Sequence, residues 1–181
     1  MRCEILGVEF DNVTVDEALT RALSFLDEGT PDGGAARARL VVTPNAEIVM
    51  MCRRDAAARE AVRAADLALP DGVGVSIASR ILGRPLRARM AGIDFAEALL
   101  PALAARGRRL FLLGAAPGVA EEAARRAAAR HTGLVVCGAR DGYFTRGEDA
   151  AAAVRAAGAD VVFVCLGAPK QELWMRAHAA A

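Results

Sequence analysis

Five short apolar runs, each followed by an Ala-rich stretch, restrict the fold of this chain more than any other feature. The runs are RLVVT (39–43), DLALP (66–70), RLFLLG (109–114), LVVCG (134–138) and DVVFVCLG (160–167). Their apolar character is continuous rather than alternating, which predicts strands buried on both faces. Helical stretches between strands act as crossover connections, and these join parallel strands. The pattern predicts an α/β fold with a doubly wound, mostly parallel sheet.

The N-terminal segment precedes this Rossmann-like pattern and forms a small attachment to it. CEILGVEFDNV alternates around Gly7 and predicts a short hairpin. Thr14 and Glu17 have the spacing of a capping box, so a helix is expected over about residues 16–26. The Gly-, Pro- and Asp-rich stretch at 27–38 is expected to be an exposed loop. The sheet therefore carries an N-terminal hairpin plus one helix.

Length, charge and cysteine use limit the class of protein. The chain has 181 residues and 54% hydrophobic residues, enough for one domain over 1–181 with a real core. Its net charge of +1 argues against a nucleic-acid partner, because such proteins usually carry a basic excess. Four cysteines without CxxC spacing indicate free thiols and a reducing compartment. No apolar run approaches the ~20 residues of a membrane span, so a cytoplasmic protein is expected.

The residues that follow the five runs are the candidates for function. Ligands of open parallel sheets bind beyond the carboxyl ends of the strands. The stretches at those ends are TPNAE (43–47), PDGVG (70–74), GAAPG (114–118), GARDGYF (138–144) and GAPKQE (167–172). Because these ends share one edge of the sheet, we expect the five stretches to line one rim.

Several rim residues have both a structural and a chemical interpretation. Asp71 is either an ordinary turn residue or a carboxylate general base. Thr43 and Asn45 either cap the next helix or hold a sugar. Gly114 and Gly118 form either a tight turn or a phosphate contact at a helix start.

Two further stretches also allow both interpretations. Arg87 and Arg89 lie either in a solvated loop or against a diphosphate. Tyr143 and Phe144 form either local core or a stacking surface for a base or sugar. The only lysine, Lys170, is followed by the only glutamine, in GAPKQE.

Taken in order, six stretches resemble the motifs of the WecG/TagA/CpsF glycosyltransferases. They are TPNAEIV, LPDGVGV, RMAGIDF, FLLGAAPGVAEEAA, DGYF and CLGAPKQELW, which cover nearly the whole chain up to Trp174. The resemblance implies transfer of an N-acetylmannosamine-type sugar from a UDP-sugar to a lipid-linked acceptor, N-acetylglucosamine on undecaprenyl diphosphate. It implies an inverting reaction without metal or cofactor, in the synthesis of a bacterial surface polysaccharide such as teichoic acid.

The resemblance also assigns roles to residues, with Asp71 as the general base. The implied catalytic residues are Asp71, Thr43, Arg89 and Gln171. The implied substrate-binding residues are Asn45, Gly114, Gly118, Gly142, Tyr143, Gly167, Lys170 and again Gln171. The chain ends at Ala181, inside the helix of the last motif, whereas family members continue with a basic segment. We therefore expect a core domain without that segment, and peripheral contact with the inner face of the plasma membrane only through it.

Two rival functions predict different sequence features. An NAD-dependent oxidoreductase predicts G-x-G-x-x-G after the first parallel strand, where this chain has TPNAE. A non-catalytic nucleotide-sugar binding module predicts loss of the polar rim, yet Thr43, Asn45, Asp71, Arg89 and Gln171 are all present.

Overall fold

The computed structural model describes residues 2–27 and 37–180. These divide into two compact units, Met1–Phe95 with Met175–Ala181, and Ala96–Trp174. Most of the loop expected over 27–38 lies outside the described residues. That residues 1–181 act as a single domain stays a prediction.

The first unit begins with the predicted hairpin. Strands β1 (Arg2–Ile5) and β2 (Val8–Asp11) pair antiparallel, with Ile5 opposite Val8. The two turn residues, Leu6 and Gly7, have φ angles of 52° and 87°. Positive φ at both positions is the geometry of the tight hairpin turns whose twist matches that of the strands.

Helix α1 (Val15–Asp27) follows the hairpin and starts with the predicted capping box. The Thr14 N–H donates to Glu17 Oε2 at 2.9 Å, and the Glu17 N–H donates to Thr14 Oγ1 at 3.3 Å. Both bonds satisfy N–H groups that a helix start leaves unpaired. The hairpin-plus-helix attachment is therefore confirmed.

A two-stranded parallel sheet forms the rest of this unit's framework. Strand β3 (Val41–Val42) pairs with β4 (Leu67–Ala68), and α2 (Ala46–Arg54) and α3 (Ala56–Arg63) connect them. Helix α4 (Gly72–Ile81) follows β4. The core contains residues of the hairpin and of both strands, with Phe10 fully buried.

The second unit contains a three-stranded parallel sheet. Its strands are β5 (Arg109–Gly114), β6 (Val135–Arg140) and β7 (Val161–Cys165), in the order β6-β5-β7. Its helices are α5 (Gly92–Ala105), α6 (Val119–Arg130), α7 (Gly147–Ala156) and α8 (Lys170–His178). The first residues of α5 and the last residues of α8 belong to the first unit. The α/β class with parallel strands is confirmed.

Burial of the strands differs from the expectation in one respect. Leu110, Phe111 and Leu113 of β5 are buried, but the residues of β6 and β7 are mostly half-buried, and Cys165 is exposed. The strand order gives the reason, because β5 is central and the other two each pair with β5 alone among the described residues. The prediction of burial on both faces is confirmed for β5 and wrong for its neighbours.

Candidate functional site

Three turns of the first unit meet beyond the carboxyl ends of β3 and β4. The Asp71 N–H donates to the Pro44 carbonyl oxygen at 3.2 Å, and the Met90 N–H donates to the Pro70 carbonyl oxygen at 2.9 Å. These bonds join the turn after β3, the turn after β4 and the segment before α5. The predicted meeting of rim stretches is thus present for TPNAE and PDGVG, and the segment before α5, which was not among the five stretches, joins them.

Asp71 occupies the N-cap position of α4 but makes no side-chain capping bond to that helix. Instead, its Oδ2 accepts a hydrogen bond of 3.3 Å from the Gly92 N–H. Asp55 behaves differently at the start of α3, where its Oδ1 accepts bonds from two helix N–H groups. Asp71 is half-buried. Its carboxylate is therefore hydrogen-bonded to the segment at the start of α5 rather than to its own helix, α4.

Thr43 and Asn45 lie beside Asp71 in this arrangement. A Cβ atom at Gly92 would lie 2.8 Å from Thr43 Oγ1, so that hydroxyl is packed against the Gly92 backbone. Asn45 Oδ1 accepts a bond of 2.9 Å from the Ile48 N–H, which confirms its capping role. We call Thr43, Asn45, Asp71 and Gly92 the Asp71 cluster.

The two arginines of the following loop differ in their environment. Arg87 forms an ion pair with Glu17, with 2.7 Å between Nη1 and Oε2. The bond from the Thr14 N–H, together with this guanidinium, lowers the pKa of the Glu17 carboxyl. Arg89 is exposed and directly precedes Met90, which is bonded to the turn after β4. Arg89 is therefore joined to the Asp71 cluster through the backbone.

The turns of the second unit also converge beyond its strands. The Ala115 N–H donates to the Cys165 carbonyl oxygen at 2.9 Å, and the Gly142 N–H donates to the Ala115 carbonyl oxygen at 2.9 Å. Gly114 has a φ of 137°, and a Cβ atom there would overlap the Cys165 carbonyl group. Only glycine fits at this crossing of β5 and β7.

The side chain of Lys170 is hydrogen-bonded to the same set of turns. Its Nζ donates to the Gly142 carbonyl oxygen at 2.7 Å and lies 4.6 Å from the centroid of the Phe144 ring. Such a cation–ring contact is electrostatically favourable. We call Gly114, Ala115, Gly142 and Lys170 the Gly114 cluster.

Three other predicted residues lie on the turns of the second unit. Gly118, with a φ of 83°, is at the N-cap position of the twelve-residue helix α6. Gly167, with a φ of 76°, accepts a bond of 2.9 Å from the Gln171 N–H at the start of α8. Tyr143 is 77% exposed, whereas Phe144 packs in the core. The local-core interpretation of this aromatic pair is therefore wrong for Tyr143.

Sequence reasoning assigned no role to Glu172, which the structure places beside Gln171. Glu172 is 3% exposed, and its Oε1 accepts a bond of 2.9 Å from Gln171 Nε2. Its Oε2 is buried with no hydrogen-bond partner among the described residues. The KQE motif places a carboxylate next to the glutamine, but nothing in the sequence reveals its burial. Gly92, the partner of Asp71, was also unassigned.

The predicted site residues are divided between the units. Thr43, Asn45, Asp71 and Arg89 belong to the first, and the predicted glycines, Tyr143, Lys170 and Gln171 to the second. Within the described ranges, no three His, Cys, Asp or Glu side chains are grouped as metal ligands would be. No helix in those ranges is long and apolar enough to cross a bilayer.

Comparison with known proteins finds a family and a number of similar enzymes. The model of the "Glycosyl transferase WecG/TagA/CpsF family" matches residues 3–181. The chain is 33% identical over 164 residues to an N-acetylglucosaminyldiphosphoundecaprenol N-acetyl-beta-D-mannosaminyltransferase of Bacillus spizizenii, covering 91% of this chain and 63% of that protein. It is 29% identical over 177 residues to the Staphylococcus aureus enzyme of the same name, covering 98% and 68%. The chain thus spans about two thirds of the length of these relatives.

Proposed function

Because the chain belongs to the glycosyl transferase WecG/TagA/CpsF family, we propose that it transfers an N-acetylmannosamine-type sugar from a UDP-sugar to N-acetylglucosamine on undecaprenyl diphosphate. The names of the two relatives supply the transferred sugar and the acceptor. The reaction would serve the synthesis of a bacterial surface polysaccharide. It would take place at the inner face of the plasma membrane, since the acceptor's lipid chain is anchored there.

In the proposed reaction, Asp71 is the general base. Its carboxylate takes the proton of the acceptor hydroxyl while the hydroxyl oxygen bonds to the anomeric carbon of the donor. The bond from that carbon to the diphosphate oxygen breaks, and UDP leaves with the electron pair. Attack opposite the leaving group inverts the anomeric centre. No metal or cofactor takes part in this scheme.

The observation that carries this assignment is the unusual bonding of Asp71. An Asp at a helix start normally accepts bonds from the first N–H groups of its helix. Asp71 lacks that bond, and its Oδ2 is held by the Gly92 N–H. A single N–H contact fixes the carboxylate while leaving acceptor capacity for a proton, which a general base requires.

Other residues would bind the substrates. Thr43 and the amide nitrogen of Asn45 would hold sugar hydroxyls beside Asp71. Arg89 would stabilise the negative charge that develops on the departing diphosphate, and the family resemblance gives Gln171 a catalytic role as well.

The turns of the second unit would also contact UDP. Gly114, Gly118, Gly142 and Gly167 allow close backbone approach, and the N–H groups at the start of α6 attract phosphate. Lys170 adds a cation, and Tyr143 offers an exposed ring for stacking.

The decisive experiment incubates the purified protein with UDP-N-acetylmannosamine and a lipid-linked N-acetylglucosamine diphosphate. Formation of a lipid-linked disaccharide with stoichiometric UDP release supports the proposal. UDP-sugar binding without product would instead indicate the binding-module alternative. Reduction or oxidation of a nicotinamide cofactor by the protein would indicate an oxidoreductase.

A further inference from the structure

Helix α4, which begins directly after Asp71, has an apolar face that is exposed, opposite the face that is buried. Val75 and Ser79 are 1% exposed and form the buried face. Val73, Ile77 and Ile81 recur every fourth residue on the other side and are 61%, 51% and 78% exposed. Residues spaced by four lie on one face of a helix. A surface helix normally carries polar or charged residues on the side that faces away from the core, so an apolar exposed side is unusual.

The exposed apolar residues are concentrated here rather than scattered over the surface. Of the eleven large hydrophobic side chains exposed in the described residues, five lie between positions 73 and 93. Leu82 follows α4, and Ile93 directly follows Gly92, the partner of Asp71. Single exposed hydrophobics need no explanation, but a contiguous group marks a binding surface. We call Val73, Ile77 and Ile81 the α4 face.

Between Asp71 and Asp94, which border it in the sequence, the segment that carries this surface has charges of one sign only. Residues 72–93 contain four arginines, Arg80, Arg84, Arg87 and Arg89, and no aspartate or glutamate. All four are exposed, and Arg87 is paired with Glu17. A second copy docking symmetrically on this face would bring like charges together, which is unfavourable. An anionic partner with an apolar tail complements both the arginines and the apolar α4 face.

We propose that the α4 face binds the first isoprene units of the acceptor's lipid chain, next to its diphosphate. This inference rests on the proposed function. A sugar ring and a diphosphate separate the reacting hydroxyl from the first isoprene unit, so the chain leaves the site close to the base. The face starts two residues after Asp71 and extends about 12 Å along the helix, given a rise of about 1.5 Å per residue.

The test compares two acceptors that differ only in their lipid. One carries the long polyisoprenyl chain, and the other carries a short, water-soluble alkyl group on the same N-acetylglucosamine diphosphate. The variants are Ile77→Gln and Ile81→Gln, with Met50→Gln on α2 as the matched control, since Met50 is also exposed and helical. Steady-state kinetics give KM and kcat for each acceptor, and equilibrium binding without donor repeats the comparison independently of turnover.

Both variants at the α4 face should raise KM, and the dissociation constant, for the long-chain acceptor by about 10-fold or more, since each loses the burial of one large apolar side chain. The values for the short-chain acceptor, and all values for Met50→Gln, should equal those of the wild type. Equal losses on both acceptors, or no loss on either, would overturn the inference while leaving the proposed function intact. A wild-type protein inactive on both acceptors would overturn the proposed function instead.

Two further measurements identify other occupants of the α4 face. Sedimentation velocity that shows Ile77→Gln to be of lower mass than the wild type would assign the face to a second copy. Loss of binding to acceptor-free phosphatidylglycerol vesicles on the same substitution would assign it to the bilayer surface. Either result would overturn the proposed isoprenoid contact.

Discussion

The Gly92 N–H holds one oxygen of the Asp71 carboxylate across 21 positions of sequence, with a distance of 3.3 Å to Oδ2. An asparagine at position 71 keeps an oxygen that can accept this bond, but it cannot take up a proton. We expect Asp71→Asn to lower turnover by about 10² to 10⁴-fold, the usual contribution of a general base. UDP affinity and melting temperature should change little.

The measurement is turnover, UDP affinity and melting temperature on the same Asp71→Asn protein. Asp16→Asn is the matched control, because Asp16 is exposed in the first turn of α1. Normal turnover in Asp71→Asn would eliminate Asp71 as the base.

Lys170 bonds the Gly142 carbonyl oxygen and contacts the Phe144 ring. Lys170→Met keeps the aliphatic stem and removes the charge, so UDP affinity should fall by about 10-fold, or about 1.4 kcal/mol. Arg130→Met, at another exposed cation of the same unit, should leave affinity unchanged. Titration calorimetry with UDP compares the two variants. Equal UDP affinities of the two variants would show that Lys170 stabilises the turns but does not bind UDP.

Gly114 and Gly118 both have positive φ angles, but their surroundings differ. A Cβ atom at Gly114 would overlap the Cys165 carbonyl group, whereas one at Gly118 meets nothing within 4 Å. Gly118→Ala should therefore cost about 1 kcal/mol of backbone strain. Gly114→Ala should cost about 3 kcal/mol or prevent folding, because the backbone must also move. Urea unfolding of both variants gives the difference, and similar losses would contradict this account.

The Asp66 carboxylate accepts bonds from the Leu40 N–H, Arg37 and Arg39. Burial raises the pKa of Asp66, but these three bonds outweigh it and hold that pKa below its ordinary 3.8. A lowered pKa stabilises the fold above the unfolded-state value, and this stabilisation is lost as the pH falls through the folded-state value.

Asp66→Asn should therefore be less stable than the wild type near neutral pH, by about 2 kcal/mol. The difference should shrink as the pH falls below about 4. Urea unfolding at several pH values measures it. A difference that stays constant with pH would show that the charge of Asp66 does not stabilise the fold.

The apolar runs predicted all five parallel strands and the length of β5, but the other four strands differ in length from their runs. The run at 39–43 pairs only over Val41–Val42, because Leu40 is bonded to Asp66 and Pro44 has no N–H to donate. The strand that begins in the run at 134–138 continues to Arg140. The sequence did not predict this continuation, because GARDG (138–142) has the composition of a turn. Turn residues in the sequence therefore show roughly where a strand ends, but not at which residue its hydrogen bonds to the neighbouring strand stop.

The candidate site was predictable where one motif contained it and unpredictable where two segments meet. Asp71, Thr43 and Asn45 could be named because they follow apolar runs. The contact between Asp71 and Gly92 depends on where the loop before α5 returns, which no local pattern encodes. The burial of Glu172 also depends on tertiary packing, since an isolated KQE reads as an exposed helix start.

The indole of Trp174 donates a hydrogen bond of 3.1 Å to the carbonyl oxygen of Gly147, the first residue of α7. Trp174 is half-buried and is the only tryptophan of the chain. Its fluorescence therefore comes from one defined place, where α8 is tied to the start of α7. Emission and circular dichroism recorded on one sample would distinguish release of this tie from loss of all helices, without any introduced fluorophore.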